Sequence, residues 1–403
     1  MKEMQGFRFE LRPDGEQMRK MAQTDGSCRF VYNKALALQK ENHEAGNKFI
    51  SYFSMTKHLT EWRGSKETPW LKNSPSGAQQ QALKDLDRAF TNFFAGRAEF
   101  PKFKKKEYSS GFRYSDAAQI KLDEANARIF LPKLGWVRYR KSRNIKGTLC
   151  NVNISKDGDK WFMSICTEQE IEEPKHSSTS AIGIDMGVAR FATMSDGTYI
   201  ASLNIFKKLK REVAKAQRSL SKKKLGSQNW RKARKKLRNV YRKVKNSRAD
   251  FLHKVTTEIS KNHAIVCIED LRIGNMTKSA AGTKENPGKM VRQKSGLNRA
   301  ILDQGWGAFR QMLEYKMKRC GGKLVFVPPQ YSSQTCPKCH HVSKENRKTQ
   351  AEFECVACFY KNHADVVAAI IILERGYRLL ACGEMVHIDL SMKQEPTEAT
   401  SVR

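Results

Sequence analysis

Acidic residues are scarce in this chain: 41 Asp and Glu stand against 75 Lys and Arg, a formal net charge of +34 over 403 residues. An excess of that size is hard to explain except by a polyanionic partner, with nucleic acid the default. Long apolar runs are also missing. None approaches the roughly 18 to 20 residues needed to cross a bilayer, which excludes a membrane span. Nothing in Met1 to Glu10 reads as a signal peptide and nothing else suggests an oxidising compartment, so a disulfide framework is not expected. Cys28, Cys150, Cys166, Cys267, Cys320 and Cys382 fall singly in apolar or mixed segments and read as reduced core residues of a cytosolic protein. What remains is a chain with 39% hydrophobic content, enough for real cores, and a length that suggests two or three domains.

The other four cysteines are patterned. Cys336, Cys339, Cys355 and Cys358 read C-x2-C-x15-C-x2-C, which lets two tight turns each present two thiolates to one tetrahedral zinc. Directly after them, Asp365 opens an apolar run, Val366, Ala369, Ile370 and Leu373, with the spacing of a buried helix.

From the N-terminus, Phe7, Phe9 and Leu11 alternate with Arg8, Glu10 and Arg12 as a half-buried strand. Helical spacing follows from Asp14 toward Asp25-Gly26, again over Arg29 to Lys40, and after Ser74 to Gly77, where Leu83, Leu86, Phe90, Phe93 and Phe94 form a stripe read as core. Beyond the basic segment Gly96 to Lys106 the period changes to two. Ala127 to Leu131, Trp136 to Arg140, Leu149 to Ile154 and Trp161 to Thr167 read as antiparallel strands, and the unpartnered first strand is expected to join them. The helices would then be an insertion in a small β-barrel.

Glu168 to Ser180 reads as a linker. AIGIDMGV then opens the second half, followed by Lys207 to Lys254, a basic tract with Glu212 and Asp250 as its only acids. Its apolar positions keep helical spacing across a break at Gly226, so it is expected to form a basic helical hairpin. HAIVCIEDL is a strand ending in two acids, Arg272 to Lys294 is polar and read as mobile, Trp306 to Lys318 is helical, and Gly321 to Val327 is a strand. After Glu384 the polar tail is expected to be disordered.

Asp185, Glu269 and Asp365 therefore stand at comparable places, at strand ends and a helix start. Three clustered carboxylates need cations, and hard oxygen ligands select Mg2+ or Mn2+, a pair of which suits phosphodiester cleavage. The residues alone leave capping roles open for Asp185 and Asp365, and leave Asp270 as a rival to Glu269.

The order GIDMGV, basic hairpin, VCIEDL, polar loop, VPPQYSSQTCPKC, ECVAC and NHAD resembles the TnpB family, RNA-guided DNA endonucleases of bacterial insertion sequences similar to type V CRISPR effectors. Arg29 to Asn33 (R-x-x-x-N), the Gln79 to Ala89 helix with Phe93-Phe94, and FPKFKKK agree with it, so the likeness spans nearly the whole chain to about Arg378. It implies a multidomain α/β fold: a wedge β-barrel (1–12 and 107–167) carrying a helical recognition lobe (13–106), a linker (168–180), an RNase H-like (RuvC) nuclease domain (181–330 and 363–380) with an inserted zinc ribbon (331–362), and a tail (381–403). It further implies Asp185, Glu269 and Asp365 as catalytic acids holding Mg2+ or Mn2+, structural Zn2+ on the four cysteines, and a guide RNA from the transposon end. Target double-stranded DNA would be cut beside a short motif read by the protein, by two-metal-ion hydrolysis. We expect base and backbone contacts from Tyr52, Thr56, Lys57, Gln80, Lys104, Lys105, Arg231 and Arg234, and a monomer within a cytoplasmic, nucleoid-associated ribonucleoprotein. The competing readings are an RNA-guided DNA-binding protein without cleavage and a transposase that joins strands. Two departures stand out: His340 and Phe359 replace the glycines common after the second and fourth cysteines, and Val367 and Ile371 stand where Asn is frequent.

Overall fold

The computed structural model describes residues 2–106, 111–283 and 285–381. Cys382 and the tail expected after Glu384 lie outside them. The chain divides into two units, Met1–Glu172 and Glu173–Arg403.

In the first unit, strand β1 (Lys2–Arg12) turns Phe7, Phe9 and Leu11 inward, as the alternation predicts. Helix α1 (Gly15–Glu44) starts in a capping box: the Asp14 carboxylate accepts the Gln17 N–H at 2.7 Å, and the Gln17 side chain accepts the Asp14 N–H at 3.2 Å. It runs unbroken through Asp25-Gly26, where the sequence suggests a stop. Asp25 is buried there, accepting the Gly111 N–H at 2.6 Å and Arg29 at 3.2 Å, so tertiary contacts override the local breaker. Helix α2 (Tyr52–Gly64) lies within the segment expected as a helical lobe; Ser51 caps it by accepting the Ser54 N–H. Helix α3 (Ser76–Phe94) buries Leu83, Leu86 and Phe90, but Phe94 is 66% exposed, so the expected core stripe ends at Phe90.

Strands β2 (Gly111–Tyr114), β3 (Lys121–Asp123), β4 (Arg128–Leu131), β5 (Gly135–Tyr139), β6 (Thr148–Asp157) and β7 (Lys160–Glu170) follow. The antiparallel sheet has the order β2-β6-β7-β1-β5-β4-β3, so β1 does find its partners across the helical insertion. Only β2 and β3, four and three residues long, escape the periodicity. Strand β7 continues to Glu170, into the stretch read as linker. Helices and sheet share a core that includes Phe7, Val31, Leu36, Leu83 and Ile165.

The second unit contains β8 (Ala181–Asp185), β9 (Arg190–Met194), β10 (Tyr199–Ala201), α4 (Ile205–Ser221), α5 (Gln228–Asn262), β11 (Ile265–Glu269), α6 (Ile273–Met276), α7 (Val291–Gln304), α8 (Trp306–Cys320), β12 (Lys323–Val327), β13 (Glu352–Glu354), β14 (Lys361–His363) and α9 (Ala364–Ala381). Five strands pair in the order β10-β9-β8-β11-β12, antiparallel from β10 to β8 and parallel from β8 to β12. Helices α4 and α5 form the expected hairpin, burying Leu209, Val213, Ala233 and Val244. Helices α6 and α7 bring order to and beyond the polar segment read as mobile. Lys294 and Asn298 of α7 donate to the carbonyls of Met276 and Thr277 at 2.8 and 2.9 Å, and Asp303 near the end of α7 accepts the Phe206 N–H at the start of α4 and pairs with Arg248 of α5 at 2.7 Å. No helix of the described residues is long and apolar enough to cross a membrane.

Candidate metal centres and nucleic-acid surfaces

Register brings the first two acids together. In the parallel pair β8–β11, Ile184 faces Ile268, so the residues that end these strands, Asp185 and Glu269, are neighbours. Helix α9 carries the third acid across the same sheet, because two glycines let the backbones close up. A Cβ at Gly183 would lie 2.1 Å from the Ala369 carbonyl oxygen, and one at Gly376 would lie 2.1 Å from the Cys267 sulfur. Asp365 thereby reaches the neighbourhood of Asp185 from the first turn of α9.

The electrostatics record that convergence. Burial, then the Glu269 and Asp365 carboxylates, push the Asp185 carboxyl up to about 7, against the opposing pull of Arg347 and the Met186 N–H. Glu269 is also raised by burial, while Ser332 and Arg375 pull it down. The Ser332 hydroxyl donates to Glu269 Oε1 at 2.5 Å, and Arg375 holds the Ser332 loop by donating to the carbonyls of Pro328 and Gln330. No other hydrogen bond reaches the Glu269 carboxylate among the described residues. Asp270, the rival acid, is exposed and pairs with Arg310, which lies over Phe326. It takes no part in the cluster around Asp185. Glu269 is buried, Asp185 and Asp365 are half-buried, and Arg347 pairs with Asp365; an excess of carboxylate charge of this kind is chemistry suited to hard divalent cations. Among the described residues, the four cysteines draw their ligand atoms within 4.8 Å of one another.

The cysteines form a closed sulfur site. Cys336 and Cys358 sulfurs are 3.6 Å apart, Cys339 and Cys355 sulfurs 3.5 Å. Four thiolates about 2.3 Å from a tetrahedral zinc sit about 3.8 Å from each other, so the spacing fits zinc. Burial raises the Cys355 thiol, but N–H donors from Cys358 and Ala357 and neighbouring thiols outweigh it and bring it down to about 7. His340 and Phe359, in place of the expected glycines, both adopt φ of 57°. The turns still form, with the His340 and Phe359 N–H groups donating to the Cys336 and Cys355 carbonyls at 2.9 Å each. Side chains in this left-handed region carry strain that glycine would not.

Between the two turns lies Asn346, fully buried. It donates to the Gln334 and His341 carbonyls and accepts the Val356 N–H, tying both knuckles together. The next residue, Arg347, points its guanidinium at Asp365, 3.6 Å away. Neither Arg347 nor Ser332 was flagged by spacing; the adjacency of Ser332 to the first knuckle was the only available cue. Val367 and Ile371 are buried, and Val367 packs with Phe353 and Ala364 against Cys336 and Cys355. Val367 thus serves the seam between α9 and the knuckles.

The expected nucleic-acid contacts divide. Lys57, Gln80, Lys105 and Arg231 are exposed; Arg234 is half-buried over Trp230, and Tyr52 is half-buried under Lys84. The Thr56 hydroxyl donates to the Phe53 carbonyl at 2.6 Å. Lys104 is engaged by the lobe itself, its ammonium 4.0 Å from the Tyr32 ring centroid and 3.7 Å from Asp85. It borders a cavity of about 400 Å3 in the first unit, lined also by Arg29, Gln81, Arg113 and Asn153.

Three families match the chain: "Probable transposase" over residues 164–280, "Cas12f1-like, TNB domain" over 306–372, and "Helix-turn-helix domain" over 1–48. The last region folds here as β1 and the single helix α1. The chain is 52% identical to a protein of Escherichia coli K12 described as "Putative RNA-guided DNA endonuclease InsQ", over 99% of this chain and 98% of that one. It is 32% identical to a Streptomyces pristinaespiralis protein described as "Putative RNA-guided DNA endonuclease", over 98% and 97%. Its fold is similar to the protein of a Cas12f1–sgRNA–target DNA complex, with a TM-score of 0.51 at 12% identity, covering 92% of this chain and 98% of that one.

Proposed function

We infer the activity of this chain from its membership of the TnpB family of RNA-guided DNA endonucleases, to which it belongs by its full-length likeness to two such proteins. It is an RNA-guided DNA endonuclease, a hydrolase of phosphodiester bonds. The observation that carries this conclusion to particular residues is the convergence of Asp185, Glu269 and Asp365 at two adjoining strand ends and one helix start.

The strand order β10-β9-β8-β11-β12, with α9 laid across it, supports an RNase H-like (RuvC) nuclease domain in the second unit. The sulfur site and the β13–β14 hairpin support an inserted zinc ribbon. The seven-stranded sheet with its helical insertion supports a wedge barrel with a recognition lobe.

In the mechanism we propose, Asp185, Glu269 and Asp365 would together hold the divalent ions. Two Mg2+ or Mn2+ ions bound there would supply an activated water and charge stabilisation at the leaving oxygen. The protein's own residues arrange the rest. Ser332 fixes one Glu269 oxygen and leaves the other for a cation, and Arg347 is placed to hold a phosphate oxygen beside Asp365. The four cysteines would hold a structural zinc, and Asn346, bonded to both cysteine turns, holds the frame that carries Arg347.

The guide RNA would lie on basic surfaces that include the α4–α5 hairpin with Arg231 and Arg234, and pairing with it would read the target. Reading of the adjacent duplex motif is assigned to Gln80, Lys57, Tyr52 and Thr56 in the lobe. Cleavage of a plasmid library with a randomised motif beside the guide match tests the whole scheme, using protein copurified with its native RNA. Cuts that require Mg2+ and vanish in Asp185→Ala are expected. Guide-dependent binding with no cut under any divalent ion would replace it with the RNA-guided binding protein.

A further inference from the structure

One surface of the first unit has no role in this scheme. At the far end of α3, where the chain passes into the basic segment, Phe94 is 66% exposed, Phe103 45%, Phe49 45% and Phe100 40%. They are not scattered. Phe94 stands 5.7 Å from Phe49 and 5.5 Å from Phe93, which is 5.3 Å from Phe100. The buried Phe90 roots the group, 6.0 Å from Phe94 and 5.6 Å from Phe100. Rings of this kind belong in a core, and a contiguous exposed cluster marks a binding surface.

Its charge says what binds. Lys40 lies over two of the rings, its ammonium 4.8 Å from the Phe103 centroid and 5.5 Å from that of Phe100. Arg97 and Lys105 are exposed on the same segment and form no ion pair among the described residues, whereas Glu99, its only acid, is taken by Lys102. Flat aromatic faces interleaved with unpaired cations match a strand of nucleic acid, bases stacked and phosphates on the lysines. A second copy of this basic chain would bring more positive charge to the same place.

We propose that this aromatic face seats an unpaired stretch of the guide RNA, with bases on Phe94, Phe100 and Phe103 and phosphates on Lys40, Arg97 and Lys105. The inference rests on the guide-RNA reading above. Guide RNA is favoured over target DNA because exposed phenylalanines invite aggregation for as long as they stay bare. The RNA is the partner that accompanies the protein before any target is met.

The test is filter binding of the native guide RNA to the full chain, with chemical probing of the RNA's unpaired bases, for wild type, Phe94→Ser/Phe103→Ser and Phe94→Trp. Each lost stack weakens binding roughly tenfold, so the double variant should bind RNA about a hundredfold more weakly. One unpaired stretch should lose protection, while Phe94→Trp keeps both affinity and protection. Lys40→Gln should make the salt dependence shallower by about 0.7 in log–log slope. The melting temperature of each variant checks the fold. Unchanged RNA affinity in a folded double variant overturns the proposal. So does a loss confined to target-DNA binding, which would move the target strand onto this face. Self-association of wild type in ultracentrifugation that the double variant abolishes would assign the face to a second copy. If wild type itself binds no native RNA, the guide-RNA reading fails first; if wild type binds and the double variant matches it, only this inference fails.

Discussion

Asp185→Asn should make the metal-free protein more stable while abolishing cleavage. With its carboxyl raised to about 7 in the folded chain, against an ordinary value of 3.8, Asp185 holds its proton more tightly folded than unfolded. Such a group leaves stability untouched below the unfolded value and removes it as pH climbs from there through the folded value. The span is 7 − 3.8, about 3 units, which at 1.36 kcal/mol per unit amounts to about 4 kcal/mol at most. Water reaches this half-buried group, so about 2 kcal/mol is the figure to carry forward. At 2–4 °C per kcal/mol for a unit of this size, the difference is about 4–8 °C. Asparagine mimics the protonated acid at every pH. Thermal melts in Mg2+-free buffer should therefore coincide for wild type and Asp185→Asn near pH 4 and diverge by that amount at pH 8, the variant melting higher. Saturating Mg2+ at pH 8 should raise wild type more than the variant and close the gap. A variant that melts below wild type at pH 8, or a gap independent of pH, would refute the electrostatic account of this cluster.

Four further outcomes follow from particular contacts. Ser332→Ala frees the Glu269 oxygen, and cleavage should fall about 10–100-fold with a higher Mg2+ requirement, measured as a metal titration of the cutting rate. Gly183→Ala drives a Cβ into α9, so melts should drop by about 1–3 kcal/mol and cleavage should fail with all three acids intact. His340→Gly and Phe359→Gly relieve left-handed strain, and each should stabilise the knuckles by about 1 kcal/mol, read as slower zinc loss to a chelating dye. Zinc removal with a zinc-selective chelator, followed by excess Mg2+, should leave cutting abolished, because Arg347 loses the frame that aims it at Asp365; full recovery on Mg2+ alone would contradict that linkage.

What could be read from the sequence depended on whether the information was local. Phe7, Phe9 and Leu11 announced β1 by alternation, and the C-x-x-C pairs announced the sulfur site by spacing, because in both cases the pattern and the structure share one period. Asp25-Gly26 misled because its carboxylate is satisfied by Gly111, 86 residues away, and no window of sequence contains that bond. Phe94 misled in the opposite sense: helical spacing puts it on the core stripe, but the helix outlasts the core it packs against.

Arg347 shows the same limit at the site itself. Nothing in SKENRKTQ separates its arginine from the many others in a chain of charge +34. Its distinction arises two steps away. The sulfur site brings the two knuckles close, Asn346 bridges them with three hydrogen bonds to 334, 341 and 356, and the adjoining residue is thereby aimed at Asp365. Asn346→Ala should accordingly separate metal binding from catalysis: the four cysteines still bind zinc, the acids still bind Mg2+, and the cutting rate falls at saturating Mg2+ because the guanidinium is no longer held. A rate loss that extra Mg2+ restores would place the defect in metal binding instead and remove Asn346 from the positioning of Arg347.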